Sequence, residues 1–385
     1  MTLRVDADFT IGVLSRLVQI NSVNPSLSAD GPGEREIGAF VAQTLEELGL
    51  SVRSHEPEPG RVSVVGVLAG TGGGRSLMLN AHYDTVGVEG MAEPFSGAVR
   101  DGRLYGRGAY DMKGSLAAQI GAAKALRDSG ARLKGDLLVA AVADEEVASI
   151  GTADLLRHYH PDAAIVTEPT ALQVCLAHKG FVWLEVETTG RAAHGSKFEL
   201  GVDANLRMGR FLAELDQLER DVRARKPHLL VGPPSLHAAT LQGGTGLSTY
   251  AARCVLGVER RTVPGETEAQ VVGEVRAIAE RLTRDDPGYP VTVRSTLARD
   301  PFEVSREAGI VQSLSRAATR VLGTAPRFVG DTPWMDSALL SSAGVETVVM
   351  GPAGVGAHAT EEWVEVDSVL RLAEILAATA IDYCN

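Results

Sequence analysis

In the stretch LMLNAHYDTV (77–86), His82 and Asp84 stand two residues apart where an apolar run ends. Residues two apart on a strand face the same way, so this imidazole and carboxylate can act on one object. More such positions fall where strands are expected to end: Asp111 in GRGAYDMKG, Glu145 and Glu146 in ADEEVASIG, Glu168 in VTEPT, and His358 in GAHATEE. Two imidazoles, a carboxylate able to bridge, and further carboxylates make a ligand set for two metal ions. Imidazole and carboxylate suit zinc, and also cobalt or manganese. Ions about 3.5–4 Å apart can share a hydroxide and clamp a tetrahedral intermediate, which is hydrolytic chemistry.

Each piece alone has a plainer explanation. A lone His-x-Asp is ordinarily a surface or core pair. Adjacent glutamates often open a solvated helix, where acids suit the dipole. Asp111 before MKGS could cap a helix, and His358 could be a loop residue. However, Asp144, Glu145 and Glu146 directly follow the apolar run LLVAAVA. Three acids at the end of a buried strand repel one another unless something cationic offsets them.

The elements that must position these residues follow from periodicity. Helical spacing covers 8–20 and 34–48, and an Ala-rich helix is expected over 113–128. Buried strands are expected at VSVVGVLAG, SLMLNAH, 136–143 and 163–167, with GTGGG as a turn. This β–α alternation predicts an α/β class: a mostly parallel sheet flanked by helices. In such sheets ligands gather at the carboxyl ends of the strands. After His178 the texture changes. FVWLEVETTG alternates like a half-exposed strand, and the order β-α-β-β-α-β to about residue 297 is that of a small ferredoxin-like α+β sandwich. From about 300 the first texture returns, with helices at 305–321, 335–343 and 367–383 and a strand at 345–350. The expected organisation is a discontinuous catalytic domain, 1–179 and 294–385, with an inserted lid and dimerisation domain, 180–293.

Composition bounds the function. The chain has 385 residues, a net charge of −12 and no Lys/Arg run, which argues against nucleic acid or an anionic membrane as partner. Three scattered cysteines form neither a disulfide framework nor a CxxC motif. No signal peptide or long apolar span is evident, so a cytoplasmic protein is expected. Nucleotide motifs are poor. GRGAYD has Asp111 at the third glycine position, and GTGGGRS lacks the P-loop lysine. The Gly-x-Ser-x-Gly that a serine hydrolase would want is absent.

The stretches LNAHYDTV, LYGRGAYDMKGSLAA, VADEE, VTEPT, TGRAAHGS, ERRTVPGE and GPAGVGAHATEEWV together resemble the acetylornithine deacetylase, succinyl-diaminopimelate desuccinylase and carboxypeptidase G family of co-catalytic zinc metallopeptidases and aminoacylases. The resemblance implies that His82, Asp111 and Glu168 hold one zinc, and that Asp111, Glu146 and His358 hold the other. Glu145 would be the general base for a metal-bridging hydroxide, and Asp84 would orient His82. It implies that His194 polarises the scissile carbonyl in a partner subunit's site, hence a homodimer through the lid. Of the neighbours Arg260 and Arg261 only one can face the cleft. The family pattern selects Arg261 as clamp for a substrate carboxylate and leaves Arg260 as a solvated edge charge. Ser248 stands where relatives carry a substrate-binding Asn.

The resulting expectation is hydrolysis of an N-acyl amino acid, with a dipeptidase or carboxypeptidase of the same family as the alternative. A non-catalytic binder on this fold is more distant, because the intact Glu145 has little use there.

Overall fold

The computed structural model describes residues 4–385. Its large sheet grows from the runs read as buried strands. Leu137–Val142, Leu77–His82, Ala163–Val166 and Glu346–Val349 lie side by side and all parallel. The first three are buried at every position, as expected where both faces are covered. Arg61–Leu68 and Ser51–Glu58 extend one side antiparallel, and Val174–His178 pairs antiparallel on the other. Ser51–Glu58 was hidden in sequence because SVRSHEPE is polar, as befits an exposed edge strand with a proline.

Helices Ala7–Gln19, Gly114–Asp128, Val366–Tyr383 and Gly309–Leu322 pack in series. Gly114–Asp128 is buried almost all round. Its Gly121 admits a close neighbour: a Cβ there would lie 2.6 Å from Thr10 Oγ1. Two short strands, Ala98–Arg100 and Arg103–Tyr105, precede this helix and form a small sheet with Trp363–Glu365.

The chain divides into two compact units. The second comprises Ala177–Glu303 and Gly330–Trp334. It is a four-stranded antiparallel sheet in the order Ser235–Gly243, Arg253–Thr262, Gly180–Thr189, Val291–Arg299, with helices Ala204–Arg223 and Glu268–Asp285. Alternate residues Val182, Leu184 and Val186 face Phe211, Leu215, Val275 and Ile278 in a core of its own. Among the described residues no helix is long and apolar enough to cross a membrane.

Candidate metal centre and active site

His82 is the last residue of its strand and its side chain is almost fully buried. Its Nδ1 lies 3.0 Å from the Asp84 carbonyl and 3.6 Å from the Asp84 carboxylate. Donation to that carbonyl fixes the tautomer and leaves Nε2 facing the acids. Nε2 stands 3.2 Å from Asp111 Oδ1, 3.6 Å from Glu168 and 3.8 Å from Glu145. His358, at a positive φ of 61°, places Nε2 3.0 Å from Glu146 Oε2 and 3.4 Å from Asp111 Oδ2. The ligand atoms of His82, Asp111 and Glu168 all lie within 4.8 Å of one another, as do those of Asp111, Glu146 and His358.

Asp111 does not cap the following helix, whose N-cap is Lys113. It sits on an irregular segment held from outside. Glu362 Oε1 accepts the amides of Tyr110 and Asp111 at 3.0 and 3.1 Å. Its other oxygen accepts Gly108 N at 3.0 Å and the buried Arg107 guanidinium at 2.6 Å. Glu362 was not singled out in the sequence, although it lies in the stretch GAHATEEWV.

The acid triplet is also held from behind. The Asp84 carboxylate accepts the amides of Glu145 and Glu146 at 3.1 and 3.3 Å, and the Asn24 amide at 2.8 Å. Asp84 therefore positions the acid pair with its carboxylate and His82 with its carbonyl. Asp144 is offset by Arg61 at 2.7 Å, and Arg61 also grips Glu34 in a two-pronged pair. Asp336, a further buried acid missed in sequence, accepts from Thr152 at 2.6 Å.

Burial pushes Glu145 and Glu168 well above the usual carboxylate range, reinforced by their acidic neighbours against the pull of His82. Burial likewise raises Glu146. Burial would lower His82, but Asp111, Glu168, Glu145 and Asp84 together raise it well above an ordinary imidazole. Asp111 is pushed up by burial, but its bonds to His358 and His82 hold it well below the usual range. A convergent set of buried carboxylates facing two imidazoles, whose nitrogens can ligate metal, fits divalent cations of the imidazole–carboxylate kind.

The second unit carries the other expected residues. His194 lies exposed on a loop, Nδ1 2.8 Å from Ser196 Oγ, bridged to Thr249. Ser248 meets this loop through its carbonyl, which accepts Gly195 N at 2.8 Å. Arg261 pairs with Glu259 at 3.0 Å and stacks over Phe181. Arg260 is no solvated charge. It is fully buried on the helix-covered face and held by Glu266.

Residues 78–382 match the model of peptidase family M20/M25/M40. The chain belongs to this family. An acetylornithine deacetylase of Myxococcus xanthus is 32% identical over 338 residues, covering 84% of this chain and 85% of that one. An N-formyl-4-amino-5-aminomethyl-2-methylpyrimidine deformylase of Bacillus subtilis is 28% identical over 404 residues, covering 96% and 95%. A solved Bacillus subtilis structure, described as a dinuclear metal-binding peptidase of the M20 family, superposes with a TM-score of 0.75 at 18% identity, covering 98% of both chains. This M20 chain is thus an enzyme that hydrolyses amide bonds, with the α/β fold of the M20 peptidases.

Proposed function

We propose that this enzyme cleaves the amide bond of an N-acyl amino acid at a two-metal centre, zinc by preference. The observation that carries the reading is Asp111, whose two oxygens face the two histidines, Oδ1 toward His82 at 3.2 Å and Oδ2 toward His358 at 3.4 Å. His82, Asp111 and Glu168 would hold one ion, and Asp111, Glu146 and His358 the other. Bound there, the ions would supply Lewis acidity and a water ionisable near neutral pH.

Glu145 lies beside this set without belonging to either group, and its raised pKa suits a carboxylate that takes a proton and returns it to the leaving amine. Arg261, half-buried on a rigid strand, would clamp the substrate carboxylate with its planar fork. His194 would donate to the scissile carbonyl, and Ser248 would line the same loop pair. The second unit would then serve as lid and dimerisation domain. Exposed Phe198, Leu200 and Leu247 near His194 support a homodimer. The deacetylase relative supports a small acyl group.

The test is Glu145→Ala on metal-loaded enzyme, with N-acetylornithine, N-acetylmethionine and dipeptides as substrates. Loss of a general base costs about 10²–10⁴-fold in turnover. Metal content should stay that of the wild-type enzyme. Turnover within tenfold of wild type would sink the assignment of Glu145, and preference for dipeptides would move the substrate to the peptidase class.

A further inference from the structure

Away from the acid cluster, three side chains of the first unit converge on one point. His55 comes from the edge strand Ser51–Glu58, Asp154 from the helix Ile150–Leu155, and His158 from the turn that follows. His55 Nδ1 and His158 Nε2 each lie 3.9 Å from Asp154 Oδ2. The three ligand atoms fall within 4.8 Å of one another, and the two rings lie 4.9 Å apart.

These separations are informative. At 3.9 Å neither imidazole hydrogen-bonds the carboxylate. Zinc bonds of 2.0–2.1 Å in tetrahedral array put neighbouring ligand atoms about 3.4 Å apart, about half an ångström less than each imidazole–carboxylate separation. The far nitrogen of His55, Nε2, contacts the Tyr159 hydroxyl at 3.0 Å, which turns Nδ1 inward. Such an outer partner is what fixes a ligating imidazole. Burial, then His158 and Arg53, pull the His55 ring below its ordinary pKa against Asp154. Arg157 takes the other Asp154 oxygen, Oδ1, at 3.6 Å from an exposed position and leaves Oδ2 to the imidazoles.

We propose that His55, Asp154 and His158 form a third metal site, taking one divalent ion of the zinc, cobalt or nickel class with water completing its shell. The ion ties the edge strand to the helix that begins four residues after Glu146. The site is separate from the Asp111 centre and has no part in the chemistry there.

The test is equilibrium dialysis of the full chain against zinc alone, up to ~100 µM free ion, about a hundredfold over a micromolar dissociation constant. Wild type is compared with His158→Gln and Asp154→Asn. The His158 side chain is half exposed, so its replacement leaves the fold intact. Each variant should bind one ion fewer than wild type, with hydrolysis by zinc-loaded enzyme within about twofold of wild type. Identical ion counts in all three proteins would overturn the proposal. The count is a difference, so it holds whatever the Asp111 centre binds. Failure at that centre would appear instead as fewer ions in all three proteins.

Discussion

Glu362 is aimed at the backbone around Asp111, and four donors converge on it: three amides and the Arg107 guanidinium. Glu362→Gln keeps the shape but turns an NH₂ group against those donors and leaves Arg107 buried without its charge partner. Loss of such outer support costs about 10–100-fold in metal affinity. Breaking a buried pair costs about 3–5 kcal/mol of stability. Zinc titration and urea unfolding measure the two, and an unchanged affinity would show that Asp111 is held by other means. His358 sets a pH dependence. Its bonds to Asp111 and Glu146 raise its pKa to about 10 against burial, so the metal-free ring is protonated at pH 7. A cation needs the neutral ring, so it competes with that proton. Zinc uptake at pH 7 should therefore release protons into weakly buffered solution, and affinity should rise with pH toward 10. Uptake with no proton release would remove His358 from the ligand set.

At the scale of elements, Arg260 and Arg261 show what strand alternation decides. They are chain neighbours, yet one is buried under helices with Glu266 and the other stands on the open face over Phe181. Arg260→Ala should lower the stability of the second unit by about 3–5 kcal/mol, read as a fall in urea midpoint. Arg261→Ala should change stability by no more than about 0.5 kcal/mol. It should instead raise KM at least tenfold for substrates with a free carboxylate. The reverse pattern would exchange their roles. The alternation was legible in ERRTVPGE, but which face the helices cover was not, because that depends on packing between distant segments. The same limit applied elsewhere. The apolar runs ending at His82, Val142 and Val166 announced the parallel sheet and the edge that carries the acids. The strand Ser51–Glu58 stayed hidden, since an exposed edge has no apolar pattern. Glu362 and the Arg61–Asp144 pair stayed hidden because their partners lie far along the chain.

For the whole molecule, the decisive feature is how the insert begins and ends. Ala177 pairs with Glu303 and His178 with Phe302 in an antiparallel ladder, so the long segment of the second unit begins and ends at neighbouring residues, while its short segment, Gly330–Trp334, lies further along the chain. Directly opposed Cα atoms in such a ladder lie about 4.5–5.5 Å apart, a gap that a two-residue turn closes. The second unit has its own core, and all the proposed metal ligands belong to the first. Replacing 179–301 by Asn-Gly should therefore leave a soluble remainder that binds zinc at the Asp111 centre as the full chain does. The proposed clamp and carbonyl donor, Arg261 and His194, leave with the insert. Turnover of N-acyl amino acids should then fall at least as far as loss of one such donor costs, about 10²–10³-fold. Metal analysis and single-turnover kinetics on the same preparation separate the two effects. A remainder that folds and binds zinc but keeps its turnover would show that the second unit supplies no substrate contact. A folded remainder without zinc would show that the metal centre needs the insert.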